Sequence, residues 1–193
     1  MAAAQRVELM ATRAAEAFAR RDHPANALVT DADAIARACH AMAGRFGRGG
    51  RLAVFGGGAS ACDAAHVVVE FVHPVIVGKR ALPAFALPGP DLVGQIGLLT
   101  DRDDIALGIS TGPVTGPDPV VEALRAARRS GLLTVGFFGG PAGTAADDVA
   151  DHVFVVPSAD PLVVKEVQVT TYHLLWELVH VFAEWSDRSG VAR

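Results

Sequence analysis

Arg51-Leu52-Ala53-Val54-Phe55-Gly56-Gly57-Gly58-Ala59-Ser60-Ala61-Cys62-Asp63-Ala64-Ala65-His66 is the stretch that decides the fold. Five mostly apolar residues predict a buried strand, three glycines a tight turn, and the Ser60 start a helix that continues through Val72. A strand that passes straight into a helix is half of a βαβ unit, so the next strand is expected to lie parallel to it. Downstream, Ala84–Ala86, Ile105–Ile109, Leu133–Phe138 and His152–Val156 read as four more strands, each bounded by Gly, Pro or Asp. Helices are expected over Asp91–Leu99, Pro119–Ser130, a short Ala145–Ala150 and a long, strongly apolar Pro161–Trp185. Upstream, Met1–Arg20 and Asp31–Arg45 read as helices, the second behind a capping Thr30/Asp31, with a link at Arg21–Ala25 that contains Pro24. The expected fold is α/β: a three-layer sandwich on a five-stranded parallel sheet, preceded by a helical pair.

The 193 residues suit one domain, with 51% hydrophobic and 20% charged residues placing the chain well inside globular composition. A net charge of −4 argues against a broad basic surface for nucleic acid or anionic lipid. No apolar run approaches the ~18 residues of a membrane span, and no signal-type segment opens the chain. Cys39 and Cys62 lack metal-type spacing and make no disulfide framework, which fits a reducing cytoplasm. Of the 17 basic residues only Lys79 and Lys165 are lysines. The near-apolar final helix is expected to be covered on more than one side, which points to an oligomer.

In an open parallel sheet, ligands bind beyond the carboxyl ends of the strands, where helix N-termini present free N–H groups. Two loops fall there. Gly57, Gly58 and Ser60 form either an anion cradle or a structural turn. The run lacks the GxGxxG spacing and acidic ribose partner of a dinucleotide site, so no nucleotide cofactor is expected. Ser110, Thr111 and Thr115 lie in the second loop and either bind an anion or cap the following helix. Asp63, His66 and Glu70 share one helical stripe, and His66 with Glu70 at i, i+4 either holds a proton or a metal or forms a solvated face. Glu166, His173, Glu177 and His180 make a second polar stripe on the last helix. His23, His40, His73 and His152 have no such partner and read as structural or exposed.

Together, the Gly56–His66 run with Glu70, Gly108-Ile109-Ser110-Thr111, Gly139-Gly140 before Ala150-Asp151, and His173-Leu174-Leu175-Trp176-Glu177-Leu178-Val179 resemble the sugar isomerase (SIS) domain. Within it, they look most like the single-domain phosphoheptose isomerases. The resemblance spans nearly the whole chain. It implies one SIS domain over 1–193 with a flavodoxin-like or Rossmann-like core at 51–187, and helices at 1–48 that the family uses for tetramer assembly. It also implies an aldose–ketose isomerisation of a small phosphorylated sugar through an enediol, with Glu70 and His173 as the acid/base pair. Some members hold zinc, a role that would fall on His66, Glu70 and His173. Phosphate binding falls on Ser60, Ser110 and Thr111, with Gly57 and Gly58 allowing close backbone approach and Thr115 replacing a lost serine.

This chain departs from the family pattern in places. The second loop runs Gly112-Pro113-Val114-Thr115 where the family has Ser-Gly-Asn-Ser. Asp91 is the only acidic residue near the end of the second strand. Leu162 stands where the family has Asp, and Lys165 where it usually has Gln, a substrate or metal contact. A lysine there would bond a phosphate or carbonyl oxygen and disfavour a metal. The alternative to an enzyme is therefore a non-catalytic SIS protein that binds a phosphosugar or a protein partner.

Overall fold

The computed structural model describes residues 3–114, 117–141 and 148–189, without the side chains of 187–189. Five strands form: β1 (Leu52–Gly56), β2 (Ala84–Ala86), β3 (Ile105–Ile109), β4 (Leu133–Gly140) and β5 (His152–Pro157). All pair in parallel, in the order β2-β1-β3-β4-β5. The order reverses direction at β1 and β3, so their carboxyl ends flank the crevice of a doubly wound sheet.

Alternation along the strands divides the core in two. Leu52, Val54, Ile105, Leu107, Val135 and Phe137 face one side. There they pack against α3 (Ala32–Gly47), α4 (Ser60–Val72) and α7 (Pro161–Ser189). Ala53, Phe55, Ala106 and Phe138 face the other, against α5 (Leu92–Leu99) and α6 (Pro119–Arg129). Three layers result, as expected.

The N-terminal region differs from the sequence reading. Arg21–Ala25 is not a link. Asp22–Ala27 forms α2 after α1 (Ala3–Ala19), and a 3-10 turn over Leu28–Asp31 leads into α3. Pro24 sits in the first turn of α2, where a missing N–H breaks no helical bond. The expected Thr30/Asp31 cap is absent, because the chain enters α3 already coiled: Asp31 makes no capping bond, and Thr30 Oγ1 donates back to the Ala27 carbonyl at 2.6 Å. Of the expected helix Ala145–Ala150, residues 142–147 lie outside the described residues and 148–150 contain no helix. The α7 helix buries Tyr172, Leu175, Trp176 and Val179 yet exposes Leu162, Leu174 and Trp185, so within one chain it is amphipathic rather than covered all round. No residue of α1 is buried, and Val7, Met10 and Phe18 are all exposed.

At the amino ends of β1 and β3, Asp104 is buried and its two oxygens serve four donors. Oδ1 accepts from the Arg51 backbone N–H at 2.7 Å and Nε at 3.3 Å, while Oδ2 accepts from Arg51 Nη2 at 2.7 Å and the Asp101 N–H at 3.0 Å. Burial by itself pushes this carboxyl up, but Arg51 and the two backbone N–H groups outweigh it and hold it below the ordinary 3.8. A depressed folded-state value means that the stabilisation is complete above 3.8 and is lost as pH falls through the folded value. Asp104→Ala, which strands these donors, is expected to cost about 3 kcal/mol in urea unfolding at pH 7, and less near pH 3. Equal destabilisation at both pH values would exclude the ionised carboxylate as the anchor.

Candidate active site

The crevice at the carboxyl ends of β1 and β3 is walled by the first turns of α4 and by α7. Gly56 closes β1 where only hydrogen fits, since a Cβ would stand 2.5 Å from the Ser60 carbonyl oxygen. Gly58 has φ +54, and the loop is fastened by Ser60 N–H to the Gly57 carbonyl at 3.0 Å and Ala61 N–H to the Gly58 carbonyl at 3.2 Å. Gly57 and Gly58 are exposed here, with Ser60 buried beside them. The second loop presses onto β4 at Gly139, whose Cβ would meet the Thr111 carbonyl oxygen at 2.5 Å.

The loop after β3 is built around a carboxylate. Ser110 Oγ donates to Asp118 Oδ2 at 2.7 Å and accepts from the Gly112 N–H at 3.1 Å. Asp118 also caps α6, accepting from the Val120 N–H at 2.8 Å. The Ser110 proton is therefore engaged by the protein's own anion, and the α6 N-terminus already holds one. Thr111 lies half-buried at the loop, and Thr115 lies outside the described residues. Asp91 caps α5 through the Gly94 N–H at 2.9 Å.

Helices α4 and α7 run side by side, and their contacts advance together along both. At the start, Lys165 Nζ donates to Asp63 Oδ2 and to the Ala59 carbonyl at 3.3 Å. Two of its three N–H donors are thus engaged, leaving one for a ligand. Next, Gln168 Nε2 donates to the Ser110 carbonyl at 2.8 Å and ties α7 to the second loop, while its buried Oε1 has no partner among the described residues. A turn further on, the titratable side chains converge. His66 Nε2 lies 3.2 Å from Glu70 Oε1 and 3.4 Å from His173 Nε2, and His173 Nε2 lies 3.8 Å from Glu70 Oε1. Glu70 is deepest, at 12% exposure, with each imidazole at 43%. Three lone-pair atoms facing one point repel unless a proton or a cation sits among them.

Tyr172 supplies the proton order. Its hydroxyl lies 2.8 Å from His66 Nδ1, the rings meeting edge to face at 5.4 Å. Burial, with Asp63 and Glu70 nearby, pushes the phenol well above its ordinary 10. The phenol therefore keeps its proton; when it donates that proton to Nδ1, the neutral His66 ring carries its own hydrogen on Nε2, toward Glu70. With a metal on Nε2 the bond would reverse and the Tyr172 oxygen would accept. Tyr172 and Asp118 escaped the sequence reading; the first is the chain's only tyrosine and adjoins His173.

The second polar stripe does not form one surface. Glu166 pairs with Arg21 through Nε and, at 2.8 Å, through Nη2. His173 enters the crevice, Glu177 faces solvent, and buried His180 lies between the Trp176 and Arg80 carbonyls at 2.9 and 3.2 Å. Four residues on one helical line meet different neighbours along a 29-residue helix. His40 packs edge-on against Phe182 at 5.3 Å, a structural role.

No protein-family profile matches the chain. Curated relatives do. A phosphoheptose isomerase of Roseiflexus sp. is 34% identical over 165 residues, covering 78% of this chain and 82% of the relative. One from Solidesulfovibrio magneticus is 35% identical over 189 residues, covering 90% and 89%. Among solved structures, phosphoheptose isomerases from Francisella tularensis and Neisseria gonorrhoeae share the fold, with TM-scores of 0.72 and 0.73 at 22% and 20% identity, over 88% of this chain and 98% of each of theirs.

Proposed function

The chain belongs to the phosphoheptose isomerase family, and we propose that it interconverts the ketose and aldose forms of a phosphorylated sugar, with sedoheptulose 7-phosphate as the first substrate to test. The observation that carries this reading is the convergence of Glu70 and His173 from separate helices, 3.8 Å apart across the crevice. Moving a hydrogen between neighbouring carbons needs one group to take the carbon-bound proton and another to serve the two oxygens. Glu70 takes the first proton, exchanges it with solvent beside the two half-exposed imidazoles, and delivers a proton to the adjacent carbon. His173, at the mouth, relays the proton between hydroxyl and carbonyl oxygens as the enediol forms and collapses. His66 orders the carboxylate, and Tyr172 fixes the His66 ring at 2.8 Å.

The phosphate end of the sugar is assigned to the Gly57–Ser60 turn, where glycines admit close backbone approach and α4 presents its N-terminus. The remaining N–H of Lys165 lies on the same side. Ser110 and Thr111 act mainly by shaping the second loop, because the Ser110 hydroxyl is directed at Asp118. Zinc fits the His66, Glu70 and His173 donors, which lie within 4.8 Å of one another and leave a fourth position open. When bound, the ion would polarise the sugar carbonyl. Metal analysis of protein purified without chelator is expected to find about one zinc per chain, lost in His66→Ala; equal zinc in that variant would remove the assignment.

The exposed apolar residues of α1 support a homotetramer assembled through residues 1–48. No helix among the described residues is long and apolar enough to cross a membrane, and the cysteines are free, in keeping with a cytoplasmic enzyme. The deciding experiment is conversion of sedoheptulose 7-phosphate by purified protein in D2O, followed by NMR. Aldose product carrying solvent deuterium at the carbon next to the carbonyl is expected. Binding of the sugar phosphate without conversion would instead identify a non-catalytic phosphosugar-binding protein.

A further inference from the structure

At the opposite end of the sheet, the C-terminus of α3 meets the turns that lead into β3 and β4. Arg45, Arg48, Arg102, Asp103 and Gly131 line an open cleft of about 390 Å³. Arg45 is fixed by two carbonyls from two different turns, Nη1 donating to the Arg102 oxygen and, at 3.3 Å, to the Gly131 oxygen. The Arg102 guanidinium lies across Gly131, its Nε 3.3 Å from where a Cβ would stand, and Gly131 has φ +88, which suits glycine. Elsewhere Arg21, Arg37, Arg51, Arg125 and Arg128 each face a carboxylate. In the cleft only Arg48 does, through Nε to Asp103 Oδ1 at 3.2 Å, and that pair is more than half exposed. Neither Arg45 nor Arg102 has a carboxylate partner among the described residues.

Three guanidinium groups against one carboxylate leave two positive charges facing one opening. Guanidinium forks match phosphate oxygens in pairs, and two charges match a phosphate dianion. Among the described residues no aromatic or aliphatic side chain lines the cleft to stack a nucleobase or cover a lipid chain. We propose that this cleft is a second anion site, distinct from the candidate active site, that takes a phosphate dianion: inorganic phosphate or the phosphate end of a small metabolite. Strand β1 separates the two sites by about 16 Å, five residues at the usual rise.

The test is an amide chemical-shift titration of the full-length labelled protein with inorganic phosphate and, separately, glycerol 3-phosphate, at constant ionic strength. Saturable shifts are expected at Asp103, Asp104, Gly131 and Leu132, apart from any at Gly57–Ala61. Tighter binding of glycerol 3-phosphate at these amides would assign the site to an organic ester, and equal or weaker binding to the free ion. Arg102→Gln should weaken the distal response at least about tenfold and leave the loop response and any isomerase activity unchanged. Distal shifts that are absent, that chloride reproduces, or that survive in Arg102→Gln would overturn the proposal, whatever becomes of the isomerase reading.

Discussion

Glu70→Gln should lower kcat on sedoheptulose 7-phosphate by about 10²- to 10⁴-fold while KM changes little, the range that a positioned general base contributes. The substitution keeps the size of the side chain and an oxygen for the His66 Nε2 hydrogen, which lies 3.2 Å from Glu70 Oε1. What it removes is the ability to accept a proton and, in the zinc-loaded protein, one anionic ligand of the ion, so turnover is compared at equal measured zinc content. The fold should be unaffected, with thermal unfolding close to the parent, because no buried counter-charge is stranded: both imidazoles remain open to solvent at 43%. Solvent deuterium incorporation should fall in step with turnover, since one carboxylate performs both halves of the transfer. His173→Asn should show a loss of similar order, and the double variant should be little worse than either single one, because groups that act on one proton path do not add. A Glu70→Gln enzyme that keeps more than about a tenth of the parent kcat places the base elsewhere.

Residues 51–66 made the architecture legible because a buried strand, a glycine turn and an amphipathic helix are each local patterns, and five repeats of strand signals fix a parallel sheet. Elsewhere the local signals are ambiguous. Pro24 reads as a break, yet in the first turn of α2 it costs no hydrogen bond. His66 and Glu70 are legible as a pair from their four-residue spacing, whereas His173 is legible only as one of four polar positions on the last helix and takes its role from the family resemblance. The spacing places Asp63, His66 and Glu70 on one helical stripe, and packing against α7 divides it. Asp63 faces Lys165, seven residues before the Tyr172 that faces His66, so ion pair and proton network occupy successive levels of the same helix pair. Asp118 was invisible as a site residue. Its partner Ser110 lies eight positions away across an irregular loop, and no periodicity joins them.

The Asp63–Lys165 pair carries the largest stability effect expected at the site. The Asp63 side chain is only 8% exposed and that of Lys165 33%, so the two charges are partly removed from water and each depends on the other. Lys165→Ala leaves the carboxylate buried beside the Ala59 carbonyl, which repels it, and should cost about 3 kcal/mol. For a chain of this length that lowers Tm by about 6–12 °C. Asp63→Asn alone should cost less, because the ammonium still reaches solvent and the carbonyl at 3.3 Å. Lys165→Gln keeps a donor for both oxygens and, in the Asp63→Asn background, removes both charges together, so this double variant should recover most of the loss. The cycle has a functional side. Without the ammonium, electrostatic opposition to a cation at His66, Glu70 and His173 weakens, and zinc affinity in Lys165→Gln should rise about tenfold by competition with a chelator. If Lys165→Ala melts with the parent and binds zinc no more tightly, the ammonium is a solvated surface charge and the site works without it.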